Sequence, residues 1–309
     1  MHPFANLLKQ HRTLLADDVR LSAYAEAIAA AVRPDDVVLD LGSGTGILAM
    51  LAARAGARRV FAIEREHIVD AAAIIARQNG LPIEWFHQQS AEVELPERAT
   101  LLITETLGNL GFDEGILGSV LDARRRLLTS EARIVPQSIS LLAAPVEASG
   151  LHQKRVGFWS TSRQGIDLSV MRTFASNQIW IADFAPSTLL ASPERIAEVS
   201  LRAMTSAVVS GSAEFTIARA ATLHGFGAWF SAQLTDHISL SNAPPLHTPN
   251  WRHGFLPLDT PVDVAAGAMV HVEIETNDGN HWRWRGSVEG TPFDQMTQFG
   301  FAPCMGELP

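Results

Sequence analysis

Glu105 and Glu114 stand nine positions apart in the stretch Glu105-Thr106-Leu107-Gly108-Asn109-Leu110-Gly111-Phe112-Asp113-Glu114, with two glycines between them. The apolar run Ala99–Ile103 just ahead reads as a buried strand. A loop at the end of a parallel strand is where an open α/β sheet puts its chemistry. Two carboxylates converging there can grip a cation or take a proton. The same residues could equally form a solvated acidic loop, so the neighbouring segments must decide.

Upstream, Asp40-Leu41-Gly42-Ser43-Gly44-Thr45-Gly46 ends one apolar strand, Val37–Leu41, and opens a helix from Ile47 to Ala55. Glycines let such a turn bend sharply and approach a ligand closely. Glu64 ends the next strand, Arg59–Glu64, where a carboxylate can accept two ribose hydroxyls. A dinucleotide site would need Gly-x-Gly-x-x-Gly, but the third glycine comes one residue early, at Gly46. A P-loop is excluded because no Gly-Lys-Ser/Thr follows. The turn resembles motif I of the S-adenosylmethionine-dependent methyltransferases, which implies that cofactor with Asp40, Gly42, Gly44 and Glu64 around it.

With its flanks, the chain is similar to the protein arginine methyltransferases from residue 11 to about 285, as a divergent, bacterial-type member. His11-x-x-Leu14-Leu15-x-Asp17-Asp18-Val19-Arg20, with Tyr24 beyond, resembles the family's helix that closes over the cofactor. The resemblance gives Arg20 the methionine carboxylate, a charge-assisted contact, and gives His11 a supporting contact. Val93-Glu94-Leu95-Pro96 also matches; Ala91 occupies the family's adenine-contacting acidic position, which leaves Ser90 or Glu92 to substitute. Glu105-x-x-Gly108-x-x-x-x-x-Glu114 resembles the double-E loop. Its two acids would fix a planar guanidinium, align the attacking nitrogen and accept the proton lost after transfer. The transfer needs no metal, and His271 and His281 have no spacing that suggests a metal site.

Three positions depart from the family pattern. Its tyrosine motif should precede His11, yet Tyr24 is the single tyrosine of the chain. Its Thr-His-Trp loop aligns with Pro249-Asn250-Trp251, keeping Trp251 but exchanging the histidine for Asn250, with His247 and His253 nearby. Leu14 and Ile116 replace methionines beside the reacting nitrogen, which leaves the number of methyls added open.

The elements that must position these residues follow from periodicity. Residues His11–Val32 read as one helix; further helices are expected at Ile68–Asn79 and Glu114–Leu128, and a third strand at Ile83–Phe86. This alternation predicts a parallel Rossmann-like sheet for residues 1–133. Beyond, strand candidates at Ser138–Ala143, Ala213–Ala218, Gly227–Leu234, Met269–Glu275 and His281–Arg285 suggest an antiparallel second half, 134–309, which the resemblance makes a β-barrel-like substrate domain. The excursion at about 172–197 lies where the family inserts a helical dimerisation arm, so a homodimer is expected. Arg124-Arg125-Arg126 reads as a solvated face, and Trp282 and Trp284 as packing residues.

With 47% apolar residues the chain can bury a sizeable core, and a net charge of −9 disfavours a nucleic-acid clamp. A single cysteine, Cys304, excludes an internal disulfide and a cysteine-based zinc site. Met1–Ala5 starts no signal peptide and no apolar run is long enough to span a bilayer, so a cytoplasmic setting without membrane contact is expected. The expected reaction is methyl transfer to arginine in a protein or peptide. A small guanidine or amine, free arginine included, is the alternative acceptor, and a cofactor-binding assembly protein without turnover is a second alternative.

Overall fold

The computed structural model describes residues 3–297 apart from 246, 247, 249 and 278; His247 and Cys304 lie outside the described residues. Two helices open the chain, α1 (Pro3–Leu15) and α2 (Asp18–Ala31). Then come β1 (Val37–Leu41), α3 (Ile47–Arg54), β2 (Arg59–Glu64), α4 (Ile68–Gln78), β3 (Glu84–His87), β4 (Ala99–Thr104), α5 (Ile116–Arg126) and β5 (Leu128–Val135). The five strands form one parallel sheet in the order β3-β2-β1-β4-β5. β1 sits at its centre and is buried throughout, which is why its sequence is almost continuously apolar rather than alternating. Asp36 locks the base of the sheet. It accepts hydrogen bonds from Arg133 Nη2 at 2.6 Å on both oxygens and from Thr100 Oγ1 at 2.7 Å, joining the starts of β1 and β4 to β5. Burial acts to raise the Asp36 pKa, but the bonds from Arg133 and Thr100 prevail and hold it below the ordinary carboxylate range.

The second half contains β6 (Ser138–Val146), α6 (Ser149–Arg155), α7 (Val170–Ser176), β7 (Trp180–Ala182), β8 (Glu194–Ser200), β9 (Val209–Thr216), β10 (Ala221–Gln233), β11 (Ser239–Ser241), β12 (His253–Val264), β13 (Met269–Thr276), β14 (Trp282–Val288) and β15 (Thr291–Met296). These strands pair antiparallel in two sheets, β7-β12-β10-β6-β8 with β11 on β10, and β15-β14-β13-β9. A long inner strand such as β10 is buried along most of its length. On β14 the alternation separates sharply: Trp282 and Trp284 are buried with their indole N–H groups on Gly279 and Pro257 carbonyls, whereas Arg283 and Arg285 pair with Asp294 and Glu273. The tryptophans are packing residues, as their period of two implies.

Several elements differ from expectation. The helix read over His11–Val32 is two helices, because Asp17 leaves helical geometry (φ −87°, ψ 87°) and its carboxylate caps α2 by accepting the Arg20 N–H at 3.1 Å. The range 172–197 expected as a helical arm contributes β7 and the start of β8 to the barrel sheet. The helical excursion comes earlier, between β6 and β7, and its part from 158 to 171 exposes Phe158, Ile166, Val170 and Met171. β12 escaped detection because Pro257 and Pro261 interrupt a sequence that otherwise favours a strand.

The kink at Asp17 also ties the two halves together. Its second carboxylate oxygen accepts the Thr248 hydroxyl, and both residues are buried. Asp17→Ala removes a helix cap, worth about 1 kcal/mol, and strands a buried hydroxyl, costing about 1–3 kcal/mol. The expected outcome is a thermal midpoint lowered by several degrees with the secondary-structure content unchanged; an unaltered midpoint would show that the kink does not depend on this carboxylate.

Candidate active site

The strand ends β1, β2 and β4 converge on one end of the parallel sheet, and the sequence-predicted residues sit there. The turn after β1 is built by glycines in left-handed geometry, with φ of 76° at Gly42 and 54° at Gly44. A side chain at Gly44 would be strained by its φ and would displace His11: its Cβ would lie 2.7 Å from Cε1 of the ring, which covers the turn from α1. Glu64, at the end of β2, holds the turn in place. One carboxylate oxygen accepts the Gly44 N–H at 2.8 Å and the other accepts the Glu66 N–H at 2.8 Å. Burial lowers the His11 pKa, against the opposing pull of Glu64, so its imidazole favours the neutral form.

Asp40, expected to contact a cofactor, is fully buried beneath the turn. One of its oxygens accepts the Ala49 N–H at 2.8 Å, anchoring the first turn of α3, and burial raises its pKa to about 7. Among the described residues, its Oδ1 and the buried Ser43 hydroxyl have no hydrogen-bond partner.

Arg20 and Glu105 meet in a buried ion pair, each less than one-tenth exposed. Arg20 Nε donates to Glu105 Oε2 at 2.6 Å, Nη2 donates to the same oxygen, and Nη1 donates to the Leu14 carbonyl at 2.9 Å. The residue expected on the cofactor and the one expected on the acceptor are therefore directly joined. Burial raises the Glu105 pKa, with the Arg20 charge acting against it. Glu114, on the open side of the loop, has its pKa raised to about 7, first by desolvation and then by the Glu105 and Asp113 charges. The two glutamates are thus close enough to repel, and a cation between them would relieve that repulsion.

Asp113 shapes the loop that carries both. It accepts N–H groups from Asn109 at 3.0 Å and Leu110 at 2.8 Å, and a Cβ at Gly108 would collide with its carboxylate. The barrel grips the same loop through the fully buried Asn242. Its amide donates to the carbonyls of Asn109 (2.9 Å) and Arg252 (2.7 Å) and accepts the Phe230 N–H at 2.9 Å. Nothing in the sequence singled out Asn242; Asp113 offered only its place between the two glycines and Glu114. Tyr24, fully buried, donates its hydroxyl to the Thr104 carbonyl at the end of β4, 3.1 Å away.

On the barrel side, Trp251 is buried edge-on to Phe230 at 5.1 Å, with the Arg20 guanidinium carbon 5.9 Å from its ring centre. Asn250 donates its backbone N–H to the Thr248 hydroxyl at 3.2 Å. His253 does not fill the place of the absent loop histidine: it is fully buried in the barrel wall, stacked on Phe184 and accepting the Phe184 N–H at 2.9 Å. Ser90 follows β3, and its carbonyl accepts Arg126 Nη2 at 2.8 Å, while Nη1 of the same arginine donates to the Val93 carbonyl at 2.8 Å. Arg126 is therefore a strut, and Arg124 likewise donates to the Met204 carbonyl. Of the three arginines expected to form a solvated face, Arg125 is the highly exposed one. The Asp122 spacing to Arg125 and Arg126, three and four residues, was the available signal.

Residues 137–289 match the family described as "Arginine methyltransferase oligomerization subdomain", and residues 22–107 match "Ribosomal protein L11 methyltransferase". The chain is 32% identical to Protein arginine N-methyltransferase 6 of Danio rerio over 281 residues, covering 85% of this chain and 80% of that protein. It is 29% identical to Protein arginine N-methyltransferase 2 of Homo sapiens over 300 residues, 91% of this chain and 69% of the relative. Neither relative is bacterial, and the expectation of a bacterial-type member finds no support in them. Among solved structures, the Trypanosoma brucei PRMT1 enzyme-prozyme heterotetrameric complex with AdoHcy superposes with a TM-score of 0.84 at 24% identity, covering 93% of this chain and 96% of that chain. Arabidopsis thaliana protein arginine methyltransferase 10 gives 0.77 at 21% identity, over 93% and 97% of the two chains. The parallel sheet with its glycine turn, the loop of two acids and these similarities lead to one conclusion: the chain belongs to the protein arginine N-methyltransferase family.

Proposed function

We propose that this protein transfers a methyl group from S-adenosylmethionine to a guanidino nitrogen of arginine in a protein or peptide. The observation that carries this reading is the buried Arg20–Glu105 pair beside Glu114, at the end of the strand next to the glycine turn. The residues fit the cofactor. The glycine turn permits close approach, the buried Ser43 hydroxyl and Asp40 Oδ1 lack partners among the described residues, Glu64 offers a carboxylate for a diol, and Arg20 offers a cation for a carboxylate. When bound, the cofactor supplies a sulfonium-activated methyl group.

The protein's own residues do the rest. Glu105 and Glu114 present two acceptors to the planar, cationic guanidinium, fixing one nitrogen in line for displacement. They draw positive charge toward the distal nitrogens, which leaves the attacking nitrogen more electron-rich. Glu114, poised near neutrality, accepts the proton released after transfer. Trp251, packed edge-on to Phe230, stands on the barrel side near Arg20, and Asn242 holds the acidic loop to the barrel.

Labelled S-adenosylmethionine with a glycine–arginine-rich peptide should transfer label to peptide arginine, and Glu105→Gln should lower kcat/KM by at least about 100-fold. Label on free arginine alone would overturn the protein-substrate reading, and transfer left intact in Glu105→Gln would overturn the assignment of the acid.

The raised Glu114 pKa sets a pH dependence. In the free protein Glu114 is protonated below about 7, and only its ionised form pairs with a guanidinium. Peptide binding should therefore tighten as pH rises through about 7, by up to tenfold per pH unit below it. Measured across pH 6–8, that slope should disappear in Glu114→Gln; a slope unchanged in the variant would assign it to another group.

The match to an oligomerization subdomain and the exposed Phe158, Ile166, Val170 and Met171 support a homodimer formed through the excursion between β6 and β7. Light scattering should find a dimer that Ile166→Asp with Val170→Asp converts to a folded monomer; a dimer that survives both changes would place the interface elsewhere.

A further inference from the structure

On the opposite side of Glu64 from the acidic loop, two imidazoles and a carboxylate face one another. His67 immediately precedes α4 and makes no side-chain capping bond to it; Asp70 lies in the first turn of that helix. His87 is the last residue of β3 and the direct neighbour of Glu64 in the parallel ladder. The Asp70 carboxylate turns one oxygen to each ring, Oδ2 at 3.8 Å from His67 Nδ1 and Oδ1 at 3.9 Å from His87 Nδ1. The rings stand edge-to-face with centres 4.9 Å apart. One donor atom from each residue can be chosen so that all lie within 4.8 Å of one another.

These separations are too long for hydrogen bonds, yet close to what a shared ion needs. With metal–nitrogen and metal–oxygen bonds of about 2.0–2.2 Å, neighbouring ligands of a tetrahedral ion stand roughly 3.3 Å apart. Exposed side chains such as His67 and Asp70 can close that difference by rotamer adjustment alone. We propose that His67, Asp70 and His87 bind one divalent transition-metal ion, which fastens the start of α4 to the end of β3 around Glu64.

Two imidazoles with one carboxylate suit zinc, nickel or copper and disfavour magnesium and calcium, which require oxygen ligands. Three protein ligands leave at least one position to water, as in exchangeable rather than closed structural sites. The ion has no part in the methyl transfer. Its effect runs through the backbone: Glu64 is bracketed in the chain by the His67 turn and in the sheet by His87, and its carbonyl accepts the Gln88 N–H at 3.2 Å. A metal clamp across both neighbours restricts the segment that presents the Glu64 carboxylate to the glycine turn. That consequence rests on the assignment of Glu64 to the cofactor's ribose.

The test uses the full, untagged chain, freed of metal with a chelator. Titration with Zn2+ by calorimetry, and with Co2+ by visible absorption, should give one saturable site per chain. His87→Ala and Asp70→Asn should each weaken binding at least tenfold. S-adenosylhomocysteine should bind about fivefold tighter with Zn2+ present, at the low end of ordinary coupling between sites, and the variants should lose that gain. Absence of a stoichiometric site, or equal binding by the variants, would overturn the metal site. Zinc bound at the site with cofactor affinity unchanged would overturn the clamp. Failure of the metal-free protein to bind S-adenosylhomocysteine at all would instead refute the cofactor reading, an outcome visible before any metal is added.

Discussion

The Arg20–Glu105 pair constrains the rest of this structure. Two opposite charges with almost no exposure lose much of their hydration, and each is tolerable only while the other is held in place. The fold accordingly fixes both ends. Arg20 is set by the Asp17 cap at the start of α2 and by the Leu14 carbonyl. Glu105 is set by β4, whose last residue, Thr104, is held from two directions by Tyr24 and by its own hydroxyl on the Leu41 carbonyl. The helices before the first strand are thus part of the site, because without α2 the carboxylate at the end of β4 has no counter-charge.

Around this pair the charges do not cancel. Arg20 acts on Asp40, Glu105 and Glu114 together, and one guanidinium cannot neutralise them all. Desolvation first, and then the Glu105 and Asp113 charges, raise the Glu114 pKa to about 7. A second cation, planar and able to meet two carboxylates, would complete the cluster and hold Glu114 ionised. The family to which the chain belongs is named for an acceptor of that shape, so electrostatics and similarity converge on one chemistry from independent directions.

The sequence was legible where one physical rule acts alone. Continuous apolar runs gave β1, β2 and β4 and the glycine spacing gave the turn at 42–46, whereas Glu105 and Glu114 stood out from an ordinary acidic loop through the resemblance of their segment. It was opaque where two rules compete. From Leu14 to Ile28 the apolar period continues through Asp17, so periodicity hid a break that a capping carboxylate enforces. In β12, proline argued against a strand that its pairing with β10 imposes. The arginine run 124–126 resembled a solvated face because charge alone does not reveal that Arg126 reaches the Ser90 and Val93 carbonyls. Asn242 was invisible for a deeper reason: its importance lies in three bonds to segments far apart in the chain, and no local pattern encodes them.

The exchange of the loop histidine for Asn250 then acquires a physical meaning. Where the resemblance expects an imidazole, the loop joins the helix through Thr248 and Asp17. A hydroxyl donating to a carboxylate joins the two elements, carries no positive charge and does not titrate near neutrality. Holding α2 against the barrel and adjusting the charge of the site are therefore separable tasks. Here the Thr248–Asp17 bond does the first, anchored further by Asn242 on the acidic loop. The second falls to Arg20 as the cation paired with Glu105 and to Glu114, whose pKa is raised to about 7.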